Sequence, residues 1–142
     1  MVGGFQLYFF RQGNRSNHSM IRQLILVGAG SAIGGMLRFG IGKWMYGLYP
    51  HPFPYPTLII NIVGSFLIGL FYGLTMKTTS VSPAMALFLT SGICGGFTTF
   101  SAFSYENIVL LKNGNYGYAL AYVVLSVLTG IFSTFLGTQI IK

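Results

Sequence analysis

This chain is almost without acids. Among its 142 residues there is no aspartate and a single glutamate, Glu106, against eight lysines and arginines, for a net charge of +7. Charged residues make up 6% of the chain, where a water-soluble domain carries about 25%, so this chain cannot cover a surface in water. Cysteine is as scarce: Cys94 stands alone, forms no intrachain disulfide and reads as a small apolar residue. The two histidines, His18 and His51, fall outside the hydrophobic segments. With one acid, one cysteine and no acid–histidine pairing, there is neither a metal-ligand spacing nor a general acid–base pair, which argues against an enzyme. The positive charge does not mark a nucleic-acid binder either. Such proteins gather Lys and Arg on one face, whereas here they fall at segment ends, where they meet headgroups and water.

What is abundant is apolar. Hydrophobic residues make up 53% of the chain, and they gather in four segments, 24–46, 57–76, 83–111 and 116–141. The first carries Arg38 and Lys43 in its last turns. The second follows Pro50, Pro52, Pro54 and Pro56, a loop that cannot be helical. Pro83 suits the first turn of the third, and Lys112-Asn113-Gly114-Asn115 is the turn before the fourth. A hydrocarbon core about 30 Å thick takes about 20 helical residues, so the expected fold class is an all-α integral membrane protein with four transmembrane helices. Residues 20–142 form this domain. Residues 1–19 differ: Arg11–Ser19 is polar, and Met20-Ile21-Arg22-Gln23 opens a hydrophobic helix cleanly. We read 1–19 as an extension upstream of a natural start at Met20 or as a mobile tail, with a short amphipathic surface arm as the alternative.

The third segment holds the most informative stretch, Gly92–Phe103 (GICGGFTTFSAF). The segment has about 29 residues, and a straight helix of that length would run about 43 Å. Gly costs about 1 kcal/mol in a helix interior relative to Ala, and Thr is stiff at its first torsion. A break at Gly95-Gly96 is therefore expected, making two shorter helices. Irregular backbone at membrane depth survives only when it is buried in protein or lines a cavity, so this segment is the first candidate for a conduction or binding site. The G-x-x-x-G pairs Gly30/Gly34, Gly69/Gly73 and Gly92/Gly96 let helix backbones approach closely and point to a homodimer. From Met20 onward, Arg22, Lys77 and Lys142 would lie on one side of the membrane and Arg38, Lys43 and Lys112 on the other. Such a tie gives no orientation, so antiparallel pairing with dual topology is expected. Translation of Arg11 and Arg15 would weaken that argument.

Two polar stripes run through the apolar helices. Thr57, Asn61, Ser65, Gly69 and Gly73 share one face of the second, and Tyr118, Tyr122, Ser126, Thr129/Gly130, Ser133 and Gly137 share one face of the fourth. Asn61 reads as interhelical glue or as a donor facing an aqueous path; Tyr122 and Ser126 allow the same two readings. Fixed charge is nearly missing from these faces, whereas a cation path usually shows acids. Amides, hydroxyls and the positive edges of Phe100 and Phe103 suit an anion. Arg38 is a snorkelling anchor or a vestibule charge that gathers anions, and Glu106 is placed near a pore mouth.

G-G-F-T-T-F-S-x-F in the third segment, N-x-x-G at Asn61–Gly64 and G-x-G-S-x-x-G-G-x-x-R from Gly28 to Arg38 together resemble the Fluc (CrcB-type) fluoride channels, over about 20–142. The resemblance implies a fluoride-selective passive channel, an antiparallel dual-topology homodimer with two pores, in the cytoplasmic membrane of a prokaryote. It implies fluoride-lining roles for Asn61, Phe100, Phe103, Thr57, Tyr122 and Ser126, and a structural Na+ at the dimer centre on the backbone carbonyls of Gly95 and Thr98. Glu106 matches an acid near the pore end. Where some members carry a second serine one turn beyond Ser126, this chain has Gly130, and Thr129 or a water would have to substitute. A paralogue could replace the second copy. The rival function is a small proton-coupled multidrug exporter, which needs a membrane carboxylate and has only Glu106 to offer. A non-conducting scaffold is a third reading.

Overall fold

The computed structural model describes residues 17–48, 50–77 and 81–141, and over these it is helical with no strand. Helix α1 is Asn17–Leu48 and α2 is Tyr55–Lys77. Helix α3 covers 83–97, as an α-helical Pro83–Leu87, a π-helical Phe88–Cys94 and an α-helical Gly95–Phe97. Helix α4 is Phe100–Lys112 and α5 is Tyr116–Gln139. Four stretches are long and apolar enough to cross a membrane: Met20–Leu48, Tyr55–Thr75, Pro83–Lys112 and Tyr116–Gln139. These match the four expected segments. Helix α1 begins at Asn17, ahead of Met20; residues 1–16, where the rest of the expected extension falls, lie outside the described residues.

Local chemistry sets the ends. Ser82 caps α3, its Oγ accepting the Met85 N–H at 3.2 Å, with Pro83 at the first helical position, where a missing N–H costs nothing. At the end of α4, Gly114 takes a φ of 75°. There the Asn115 N–H reaches back to the Leu110 carbonyl at 2.9 Å and the Gly114 N–H to that of Leu111 at 3.1 Å, closing the helix. Lys112 sits in that last turn, where the helix dipole favours a cation.

The third span bends slightly between Phe97 and Phe100. Thr98 (φ −79°, ψ 156°) and Thr99 (φ −149°, ψ 118°) are extended between α3 and α4. The break was expected at Gly95-Gly96, yet both glycines are helical. Gly96 is needed for packing instead: a Cβ there would fall on the Ser31 carbonyl oxygen. Thr99 starts the next helix because its Oγ1 accepts the Ala102 N–H at 3.2 Å.

Helix α1 packs along α3, and α2 packs along α5. Both crossings are built on glycine. A Cβ at Gly34 would strike the Ile93 carbonyl, and one at Gly30 would lie 2.8 Å from the Gly92 Cα. On the other side, Gly69 meets the Thr134 carbonyl and Gly137 that of Phe66. The buried cluster is small: Phe53, Leu58, Leu110, Ala119 and Tyr122. The outer faces of α1 and α5 present Leu24, Phe39, Leu120 and Ile131, apolar and exposed, as lipid contact requires.

Candidate functional site

Asn61 stands on α2 directly against the extended pair. Its Oδ1 accepts the Thr99 N–H at 2.8 Å and its Nδ2 donates to the Thr99 carbonyl at 3.2 Å. One amide thus satisfies both backbone groups of a residue outside the helical ladder, at a depth where water does not. Gly64, one turn on, makes room: a Cβ there would fall on the Thr98 side chain. The clamp has a second consequence. Thr99 N–H goes to Asn61 and Ala102 N–H to Thr99 Oγ1, so the Gly95 and Thr98 carbonyls lack the donors four residues on that a continuous helix would supply.

Beside the clamp lies an open cleft of about 330 Å³ between α2, α4 and α5, lined by Asn61, Ser65, Thr98, Phe100, Phe103 and Ser126 among others. The Phe100 and Phe103 rings stand 5.6 Å apart, and Phe100 is 79% exposed. The Ser126 Oγ is buried and has no hydrogen-bond partner. Asn61 has a second N–H beyond the one given to Thr99. The cleft therefore presents donors and aromatic rings and no ionisable carboxylate, ammonium or guanidinium.

Thr57 and Tyr122 are not part of it. Both donate to Glu106: Thr57 Oγ1 to Oε1 at 2.7 Å and Tyr122 OH to Oε2 at 2.7 Å. Tyr46 OH adds a third bond, to Oε1 at 3.1 Å. A carboxylate is the stronger acceptor and takes these protons, so the single acid ties α1, α2, α4 and α5 together. Phe103 lies between the two groups, its ring centroid 5.0 Å from that of Tyr122 and tilted to it by 58°. The six expected lining residues thus split into Asn61, Phe100, Phe103 and Ser126 at the cleft and Thr57 and Tyr122 at the carboxylate. Arg38 Nε donates to the Gly96 carbonyl at 3.2 Å, and Arg38 and Lys43 line a separate cleft of about 350 Å³ that reaches Thr57 and Thr99.

Sequence reasoning missed Tyr46, whose place at the end of a span reads as an interface aromatic. It missed Thr99 as the clamped cap, although Thr before a helical run is a start signal. It also missed Asn107, buried, with Nδ2 on the Phe103 carbonyl at 2.9 Å and an Oδ1 that has no partner. Among the described residues no group of three or more His, Cys, Asp or Glu could hold a metal.

Residues 25–138 match the family model described as CrcB-like protein, Camphor Resistance (CrcB). The chain belongs to the CrcB-like family. That CrcB-like match includes every residue of the clamp, the cleft and the carboxylate. Three relatives carry the name fluoride-specific ion channel FluC. That of Rhizobium meliloti is 42% identical over 122 residues, 86% of this chain and 98% of its own length. The one from Thermus thermophilus is 42% identical over 120 residues, 84% and 94% of the two chains. The Methylobacillus flagellatus protein is 43% identical over 122 residues, 84% and 94%. The CrcB-like match and the four apolar spans make this chain a multi-pass membrane protein.

Proposed function

We propose that this protein is a fluoride-selective passive channel, and not an enzyme, that lets cytoplasmic fluoride leave down its electrochemical gradient and so gives fluoride resistance. The names of its relatives support the ion. The observation that carries the reading in this chain is the cleft: Asn61, which has a second N–H to give, lines it with Phe100, Phe103 and Ser126, and no fixed charge competes there. Fluoride is small and strongly hydrated. Donors and positive ring edges set close together replace part of that shell. External HF crosses lipid uncharged and dissociates inside; an inside-negative potential then drives the anion out by about 2.3 kcal/mol per 100 mV. Arg38 and Lys43 gather anions at the mouth, and Glu106, with Thr57 and Tyr122, forms one end of the path.

The functional unit is an antiparallel dual-topology homodimer in the cytoplasmic membrane of a prokaryote, the third span acting as two half-helices. The 79% exposure of Phe100 in mid-span supports a second copy. The Gly95 and Thr98 carbonyls fit a structural Na+, because both lack the helical donor four residues on and oxygen donors suit a hard cation. These carbonyls from the two copies would hold the ion, which would supply a fixed positive charge that fastens the pair. The exporter reading has nothing in its favour: it needs a carboxylate that exchanges protons with a substrate, and Glu106 is engaged by three hydroxyls.

The test is fluoride efflux from liposomes holding the purified protein, read with a fluoride electrode while a potassium ionophore balances charge. Fast fluoride release without matching chloride release is expected. Folded dimeric protein that releases none overturns the homodimeric channel.

A further inference from the structure

One polar side chain of the cleft has no role in the reading above. Ser65 lies one turn beyond Asn61 on α2 and lines the cleft with Asn61, Ser126 and the two phenylalanines. Hydroxyls inside helices usually turn back to the carbonyl four residues earlier. Here Thr90, Ser104, Thr129 and Thr134 all do so. Ser65 does not: its Oγ has no hydrogen-bond partner among the described residues, and it is not sealed from the cleft as Ser126 Oγ is.

The facing wall explains why this matters. Along α5, Tyr122 gives its proton to Glu106, and Thr129 gives its own to the Leu125 carbonyl at 2.6 Å. One turn beyond Ser126 on α5 stands Gly130, which has no side chain. A Cβ built there would stand 3.7 Å from Ser65 Oγ and meet nothing else within 4 Å. Ser65 from α2 therefore reaches the level of the path at which α5 offers no donor.

We propose that Ser65 is an anion-contacting, specificity-determining donor of the conduction path, working at the level of Gly130. The inference rests on the channel reading above. A hydroxyl gives a small anion a short, charge-assisted hydrogen bond, and the gain falls as the anion's radius grows. Ser65 thus favours fluoride over chloride as well as raising flux.

The test uses the liposome efflux assay on the full chain, with fluoride and chloride release both recorded. Ser65→Ala is expected to lower fluoride efflux about ten-fold, the effect of one charge-assisted hydrogen bond. Because its hydroxyl holds no partner in the fold, the dimer should persist. Adding Gly130→Ser to Ser65→Ala returns a hydroxyl from the opposite wall and is expected to recover part of the flux. If Ser65→Ala fails to fold, Ser65→Thr and Ser65→Val decide, since they share a shape and differ in the hydroxyl: Thr should conduct at least about five-fold faster than Val. Wild-type flux in folded Ser65→Ala, or equal flux in the Thr and Val proteins, overturns the role of Ser65 and leaves the channel standing. Wild-type protein that releases no fluoride overturns the channel reading, and this inference with it.

Discussion

Asn61 does two things with one amide group. Its Oδ1 and one N–H hold Thr99, and Asn61 also lines the cleft with one N–H left to give. Asn61→Ala is therefore expected to reduce fluoride flux more than ten-fold and also to lower the unfolding temperature in detergent. Phe100→Ile, which removes a ring beside the cleft and breaks none of the clamp's hydrogen bonds, should reduce flux while the protein stays folded. Glu106 allows a finer comparison. Tyr122→Phe and Thr57→Val each leave a half-buried carboxylate oxygen without its donor, at a cost of about 1 kcal/mol, read as earlier thermal unfolding. Tyr46→Phe should cost less, because Tyr46 is 43% exposed and water can take its place. Part of this was legible from residue type and spacing: Asn61, Ser126, Phe100 and Phe103, singled out in the sequence, line one cleft. That Thr57 and Tyr122 serve the carboxylate was not. They lie in the same helical rows as Asn61 and Ser126, and only the folded bundle brings Glu106 from a third element between them.

At the scale of the element, the spans are fastened where glycine lets backbones touch. Gly34→Val and Gly137→Val place a branched side chain against a carbonyl of the facing helix, which cannot move aside without moving its helix. Loss of monodisperse folded protein is expected for both. Gly28→Ala and Gly40→Ala make the opposite case. Neither Cβ meets anything within 4 Å, so removing a helix-interior glycine should stabilise by about 0.5–1 kcal/mol, seen as a modest rise in unfolding temperature. The repeating glycines, the Pro83 start and the Lys112–Asn115 turn were all readable before folding. The break expected at Gly95-Gly96 is not seen: both glycines are helical, and the residues with extended backbone are Thr98 and Thr99. Propensity pointed to Gly95-Gly96, but the packing of Gly96 on Ser31 and the cap from Thr99 decide where the helix stops. The π-helical turn of Phe88–Cys94 carries no local sequence signal at all.

For the whole molecule, the nearly even distribution of Lys and Arg becomes a measurable quantity. Two lysines added at one end of the spans should force a single orientation and abolish flux. Co-expression with a version biased the opposite way should restore it. Two silent versions that stay silent together would remove dual topology from the account. The four-span architecture was the most legible feature of the chain, because about 20 apolar residues per segment against a fixed hydrocarbon thickness leave few alternatives. Which faces turn outward was not legible, since the outward and the packed faces are both apolar.

The Asn61 clamp reaches backbone atoms and ignores what hangs from them. Substitution tolerance on its two sides should therefore be lopsided. At position 99 any residue whose side chain can cap a helix, Ser, Asp or Asn as well as Thr, leaves both clamped groups in place. At position 61 the side chain itself must accept and donate at once, from the length of an asparagine, and no other residue type does both at that reach. A saturation library selected for growth in fluoride should show one permitted letter facing a short alphabet of four, although the two positions make the same pair of hydrogen bonds.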